Sequence, residues 1–190
     1  MNKWFKIINQ IWYTITMSIL TISANLTEQS STKTLAEMVH ASIAKHDTNA
    51  AFVSLHEYPI PICDGRASFG DPNVEQLNTL LKRYTGFVFA TPIYNYTINS
   101  TLKSLIEHCG RAFTDKPIGF ICTAGGEKSF MSLMPTINSM MLDFRCIVLP
   151  RFLYVTSSQF NEDKTISDPD ILKRIDRFAN EITTLTKKLA

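Results

Sequence analysis

Short apolar runs alternate along this chain with longer stretches in which apolar residues recur three and four positions apart. The runs predict strands over Ile15 to Ser23, Ala51 to Leu55, Gly86 to Thr91, Pro117 to Thr123 and Arg145 to Val155. Between them lie helical patterns: Leu35, Val39 and Ile43; Leu77 and Leu81; Leu102, Leu105, Ile106 and Cys109; Phe130, Leu133, Ile137 and Met141. A last helix carries Ile171, Ile175, Phe178, Ile182, Leu185 and Leu189, with Asp168 as its N-cap and Pro169 as its first residue. The runs "GFVFAT" and "PIGFICT" show no polar alternation, as strands covered on both faces require. Five βα units follow. They predict a parallel sheet with helices on both sides.

Composition narrows this picture. A chain of 190 residues, 45% hydrophobic, fills one core, so a single domain is expected. The net charge is +2 with interspersed signs, and no basic stripe gathers enough Lys and Arg to neutralise a phosphate backbone. Nucleic acid and membrane partners are therefore not expected. Cys63, Cys109, Cys122 and Cys146 form no CxxC pair and have no His at ligand spacing, which excludes a zinc motif and a disulfide framework. Reduced thiols in a cytoplasm fit that usage. At the N-terminus, Lys3 and Lys6 precede an apolar stretch that ends in "ISA" and imitates a signal peptide. The competing reading, preferred here, is a β-rich first strand within "YTITMSILTIS", with a core domain over 17–190 and an extension over 1–16.

In an open parallel sheet, ligands bind outside the carboxyl ends of the strands, where strand order reverses. Three loops lie there: "SANLTEQSSTKT", "TPIYNYTINS" and "TAGGEKS". The first has no glycine, which removes the GxGxxG and GxxxxGK[ST] signatures. It holds Ser23, Asn25, Thr27, Ser30, Ser31, Thr32 and Thr34, beside the expected start of a helix with unpaired N–H groups and a positive dipole end. That cradle suits a phosphate monoester, and it equally suits plain helix capping. In the second loop Pro92 is expected to halt the strand. Ile93 follows, Tyr94 and Tyr96 offer ring faces, and Asn95 offers an amide to a heterocycle edge; a Pro-Tyr turn packed on its own helix is the alternative. After Thr123, the pair Gly125-Gly126 lets backbone approach a ligand closely, or simply turns the chain. Arg66, Glu127 and Lys128 are candidates for the mouth of the same crevice. His108 beside Cys109 is not read as a catalytic pair, because successive helical residues point about 100° apart. His40, His46 and His56 read as surface or loop residues, and no metal ligand set appears.

These residues carry a family resemblance. "TPIYNYTINSTLKSLIEH" is similar to the P-x-Y-N-Y segment and following helix of the NADPH-dependent FMN reductases, flavodoxin-like proteins that include quinone, azo-dye and chromate reductases. "SSTKTLAEMV" falls where that family has S-x-N-R and a similar helix, and "KPIGFICTAGG" resembles its fourth strand and turn. The resemblance implies a flavodoxin-like three-layer sandwich with a five-stranded parallel sheet in the order 2-1-3-4-5. It also implies noncovalent FMN, NADPH or NADH as co-substrate, a small-molecule electron acceptor, and a homodimer or homotetramer. The FMN contacts it suggests are Ser23, Asn25, Ser30, Ser31, Thr32, Pro92, Ile93, Tyr94, Asn95, Tyr96, Thr123, Gly125 and Gly126. Here Thr32 and Lys33 replace the usual Asn and Arg, Asn25 stands near a usual phosphate-loop Arg, and His108 replaces an aromatic. Redox chemistry would then be the flavin's own, with no protein nucleophile or general acid required. A flavodoxin-type electron carrier and a non-enzymatic dimerisation module are the other readings. A phosphoacceptor receiver fails because strand one ends in Ser-Ala-Asn and strand three in Ala-Thr-Pro, without the acidic cluster it needs.

Overall fold

Five parallel strand positions with helices on both faces are present in the computed structural model, which describes residues 18–189. The proposed extension over 1–16 and the first residues of the expected opening strand lie outside the described residues. In chain order the elements are β1 (Ile19–Ser23), α1 (Ser31–Ala44), β2 (Ala51–Ser54), α2 (Pro72–Leu81), β3 (Gly86–Tyr94) and β4 (Thr97–Ile98). There follow α3 (Ser100–Cys109), β5 (Pro117–Ala124), α4 (Met134–Phe144), β6 (Ile147–Val148), β7 (Leu153–Thr156) and α5 (Pro169–Leu189). The expected N-cap of α5 is in place, with the Asp170 N–H donating to Asp168 Oδ1 at 2.8 Å.

The sheet has seven strands rather than the five expected, in the order β2-β1-β3-β5, with β6 and β7 both on the outer side of β5. Two departures account for the difference. The expected strand over Arg145 to Val155 is broken at Leu149 to Phe152, where Pro150 has no N–H to give to a ladder. Its halves pair with Pro117–Ile118 and with Ile121–Ala124 of β5. β3 does not stop at Pro92 but runs to Tyr94 and turns back antiparallel into β4.

Proline is tolerated inside β3 for a geometric reason. The Ala24 N–H donates to the Ala90 carbonyl at 2.8 Å, so Ala90 and, two residues on, Pro92 face the β1 side. β1 ends at Ser23, paired with Ala90, so the missing N–H of Pro92 deprives no ladder partner.

Strand residues alternate between two cores. Leu20, Ile22, Phe87, Phe89 and Phe120 pack against α2, α3 and α4, whereas Ile19, Val88, Ala90 and Ile121 pack against α1 and α5. Phe113 stands edge-on to Phe87 and Phe89, with centroids 4.9 and 5.0 Å away. On the opposite face Gly119 leaves room for the Phe178 ring of α5. The start of β1 is held by buried Asp47, whose carboxylate accepts from the Ile19 N–H at 2.9 Å and from the Asn49 N–H at 3.0 Å.

Candidate functional site

All three loops open at the carboxyl edge of the sheet. In the first, Asn25 Oδ1 accepts from the Thr27 N–H at 2.6 Å, an Asx turn that bends the chain away from β1. Ser30 is the N-cap of α1, its hydroxyl accepting from the Lys33 N–H at 3.1 Å. No hydrogen bond among the described residues engages the N–H groups of Ser30, Ser31 or Thr32, which leaves the positive end of the helix available. Thr32 shares a hydrogen bond of 2.6 Å with Thr123, tying the first turn of α1 to the end of β5. Ser23 is placed differently from its neighbours. It is fully buried, its hydroxyl has no partner, and it lines neither of the cavities at this edge.

The second loop is a two-residue hairpin. Tyr94 pairs with Thr97, leaving Asn95 and Tyr96 as turn residues at φ 49° and 61°. Positive φ at both central positions is the signature of the type I′ turn, whose twist matches that of paired strands. The turn holds both rings in solvent, with Tyr94 56% and Tyr96 66% exposed. Beneath it, buried Asn99 caps α3 by accepting from the Leu102 N–H at 3.2 Å and accepts from the Thr91 hydroxyl at 3.1 Å. Its amide donates to the Ala24 carbonyl at 2.7 Å. One side chain thus locks the first two loops together. Reading Asn ahead of "STLKSL" as an N-cap would have found it.

The third loop is pinned from β7. The Tyr154 hydroxyl donates to the Gly126 carbonyl, and the Ser157 hydroxyl donates to the Gly125 carbonyl at 3.2 Å. Neither glycine has a left-handed φ, and a Cβ on either would meet nothing within 4 Å. Among the described residues nothing demands glycine there, and the space beside the backbone is open.

Two adjoining cavities share Ile93 and Gly125 and form one crevice. The inner, of about 310 Å³, is lined by Asn25, Ser30, Ser31, Thr32, Pro92, Ile93, Tyr94, Thr123 and Gly125 of the expected set. Thr27, Gln29, Ala124, Ser157, Phe160 and Lys164 complete it. The outer, of about 580 Å³, is lined by Ile93, Asn95, Tyr96, Gly125 and Gly126, with Glu127, Lys128 and Ser129 at the mouth. Arg66 lines neither cavity. Ser157, Phe160 and Lys164 were not anticipated, because they follow β7 and only the fold brings them beside α1.

The cysteines and histidines lie apart from the two cavities. Burial pushes the Cys109 thiol up to about 11 and the Cys122 and Cys146 thiols up to about 12, and none of the three lines the crevice. His108 gives its Nδ1–H to the Ser104 carbonyl at 2.8 Å, not to Cys109. His40 departs from the surface placement expected for it, sitting half-buried on α1 against Phe52, where desolvation lowers its pKa. No cluster able to hold a metal exists among the described residues.

Several solved structures share the fold. An NADH:FMN oxidoreductase, EMOB, superposes with a TM-score of 0.75 at 18% identity over 90% of both chains. FerB, a flavoenzyme NAD(P)H:(acceptor) oxidoreductase from Paracoccus denitrificans, gives 0.73 at 17% identity over 91% of this chain and 98% of its own. In sequence, an NAD(P)H-dependent FAD/FMN reductase of Geobacillus thermodenitrificans is 27% identical over 147 residues, 76% of this chain and 80% of that protein. The model of the NADPH-dependent FMN reductases matches residues 17–160, a span that holds all three loops of the crevice, and the chain belongs to that family of flavin-dependent oxidoreductases.

Proposed function

We propose that the crevice holds FMN noncovalently, phosphate at the first turn of α1 and ring system beside the β3–β4 hairpin, and that the protein reduces small acceptors with NADPH or NADH. Quinones, azo compounds, metal oxyanions and free flavin are the acceptor classes in view. The observation that carries this reading is the continuity of the crevice, which joins a helix N-terminus to a flat aromatic hairpin along an open glycine edge.

The residues suit the group. A phosphate monoester needs donors, and the unengaged N–H groups of Ser30, Ser31 and Thr32 supply them at the positive end of α1. A tricyclic ring needs flat contact and an edge partner, which Tyr94, Tyr96 and the Asn95 amide can provide. Gly125 and Gly126 leave space where a Cβ would project.

FMN held by these residues would supply the redox chemistry between a reduced nicotinamide and the acceptor. The chain contributes binding, orientation and access. Asn99 holds the hairpin against the end of β1, the Thr32–Thr123 pair holds α1 against β5, and Tyr154 with Ser157 holds the glycine turn open. Glu127, Lys128 and Lys164 are the charged side chains of the lining, with Glu127 and Lys128 at the open mouth that an acceptor would enter.

Incubation with FMN followed by desalting tests the reading. Retained flavin absorbance, and oxidation of NADPH or NADH that depends on an added acceptor, are expected. A colourless protein that leaves both nicotinamides unoxidised would overturn it.

A further inference from the structure

The loop "SANLTEQSSTKT" contains Lys33 as its one Lys or Arg. Lys33 does not line the crevice; its ammonium lies 4.0 Å from Glu37 along the outer face of α1. We propose that Lys164, from the loop between β7 and α5, is the cation that reads the FMN phosphate and sets the preference of this crevice for FMN over riboflavin. The proposal rests on the FMN reading above.

Three observations place Lys164 in that role. Its Nζ donates to the Gln29 carbonyl at 2.6 Å, across 135 positions of sequence, which puts the charge directly before the first turn of α1. It lines the inner cavity together with Asn25, Ser30, Ser31 and Thr32. Among the described residues it joins no ion pair, so a neutral carbonyl is its recorded partner and its charge is uncommitted.

The loop is built to present it. Lys164 holds φ 64°, a left-handed conformation that disfavours a long side chain by about 1–2 kcal/mol. It is kept there by its N–H to the Asn161 carbonyl at 2.9 Å and by the Asn161 N–H to the Thr165 carbonyl at 2.8 Å. Asp163, next to it, is turned inward on the loop, accepting from the Thr165 N–H and hydroxyl at 2.9 and 2.6 Å. That carboxylate therefore serves the turn rather than neutralising the lysine.

A second group awaits the same ligand. Asn25 is 7% exposed and lines the cavity, and its Oδ1 is spent on the Thr27 N–H. Its Nδ2 donates to nothing among the described residues, leaving an unpaired amide donor in the cavity that Lys164 lines. On its other side Lys164 lines a neighbouring groove with Lys33 and four carboxylates, Glu28, Glu37, Glu162 and Asp163, so that groove carries net negative charge. A phosphate is therefore favoured at the lysine and disfavoured farther out.

The test is titration of apoprotein with FMN and with riboflavin, followed by flavin fluorescence at low and high salt. Lys164→Asn removes the charge while retaining a residue that tolerates positive φ, and Lys164→Arg keeps the charge. Lys164→Asn should weaken FMN about 5- to 20-fold, the range of a charge-assisted hydrogen bond discounted for exposure. Riboflavin affinity should stay within about twofold, the salt dependence of FMN binding should flatten, and Lys164→Arg should restore both. Unchanged FMN affinity in Lys164→Asn, or equal loss for FMN and riboflavin, would overturn the role of Lys164. Wild-type protein that binds neither flavin would instead remove the FMN reading itself.

Discussion

Tyr96 sits at φ 61°, where a bulky L residue is disfavoured by about 1–2 kcal/mol, and its 66% exposure means that packing does little to offset this. Its neighbour Asn95, at φ 49°, is of a type that accepts the left-handed region more readily. On the proposed reading, in which the hairpin contacts the flavin ring, strain carried by an exposed aromatic there points to use of that side chain. Tyr96→Gly creates Asn-Gly, the preferred pair for such a turn. Apoprotein carrying it should gain about 0.5–1 kcal/mol in denaturant unfolding, after allowance for the greater freedom of unfolded glycine, and should lose flavin retention or turnover. Full activity in a stabilised Tyr96→Gly protein would leave the tyrosine without a role in the site. Asn95→Ala should weaken flavin binding by about 0.5–1.5 kcal/mol, one neutral hydrogen bond. The buried Thr32–Thr123 pair separates fold from binding. Thr32→Val strands the Thr123 hydroxyl and should lower stability by about 1–3 kcal/mol, whereas Thr32→Val with Thr123→Val should recover most of that loss. A double variant no more stable than the single would mean that the pair is not the source of the effect.

At the scale of elements, Gly119 shows how closely α5 lies on β5. A Cβ there would stand 2.6 Å from Cζ of Phe178, a buried ring that cannot swing aside. Gly119→Ala should destabilise by about 1–3 kcal/mol, and Gly119→Ala with Phe178→Leu should restore part of it; an unaltered unfolding midpoint in the single variant would mean the layers are looser than described. Ser30→Ala removes the N-cap of α1 and should cost about 1 kcal/mol of stability, so weakened FMN binding in that variant has to be read beside its unfolding curve. Most elements were legible because each covers or is covered by a face: unalternated β3 and β5 between two helical layers, and α5 with its apolar stripe. What escaped were features set by a neighbour. Whether Pro92 ends a strand depends on where β1 stops, and that is a fact of register. Pro150 carried the signal of a break, yet the apolar residues around it imitated one long strand. Of the expected stripe Leu133 and Ile137 are buried, whereas Phe130, in the 3₁₀ turn Glu127–Leu133, is 48% exposed. Within α4 the stripe continues from Ile137 to Met140, three positions on, and leaves Met141 42% exposed.

Over the whole molecule, the crevice was legible where one loop carried its own chemistry, as "YNY" and "SS" do, and hidden where the fold supplies it from afar. Lys164 and Phe160 reach α1 from beyond β7, and no spacing in the chain announces that meeting. The homodimer or homotetramer implied by the family resemblance belongs to the proposed reading; Leu142, 84% exposed on α4, is a side chain such an assembly could cover. Sedimentation should show self-association, and a monomer throughout would refute it. The four thiols report on the domain as one cooperative unit. Cys109, Cys122 and Cys146 are buried with raised pKa values, while Cys63 is only partly covered. At neutral pH an alkylating reagent should therefore modify Cys63 in the native protein and reach the other three only through opening of the core. The crevice is framed by β1, α1, β3 and β5, and Cys122 lies on β5 in the core that α2, α3 and α4 cover on the other face of the sheet, so a ligand that binds the folded domain alone slows its labelling by disfavouring opening of the domain as a whole. With FMN at a hundredfold excess over its Kd, labelling of Cys122 should slow by about a hundredfold, equivalent to about 2.7 kcal/mol, and Cys63 should react as before. Protection of Cys63 instead would move the flavin toward the loop after β2, and protection of neither would mean that FMN does not bind the folded domain.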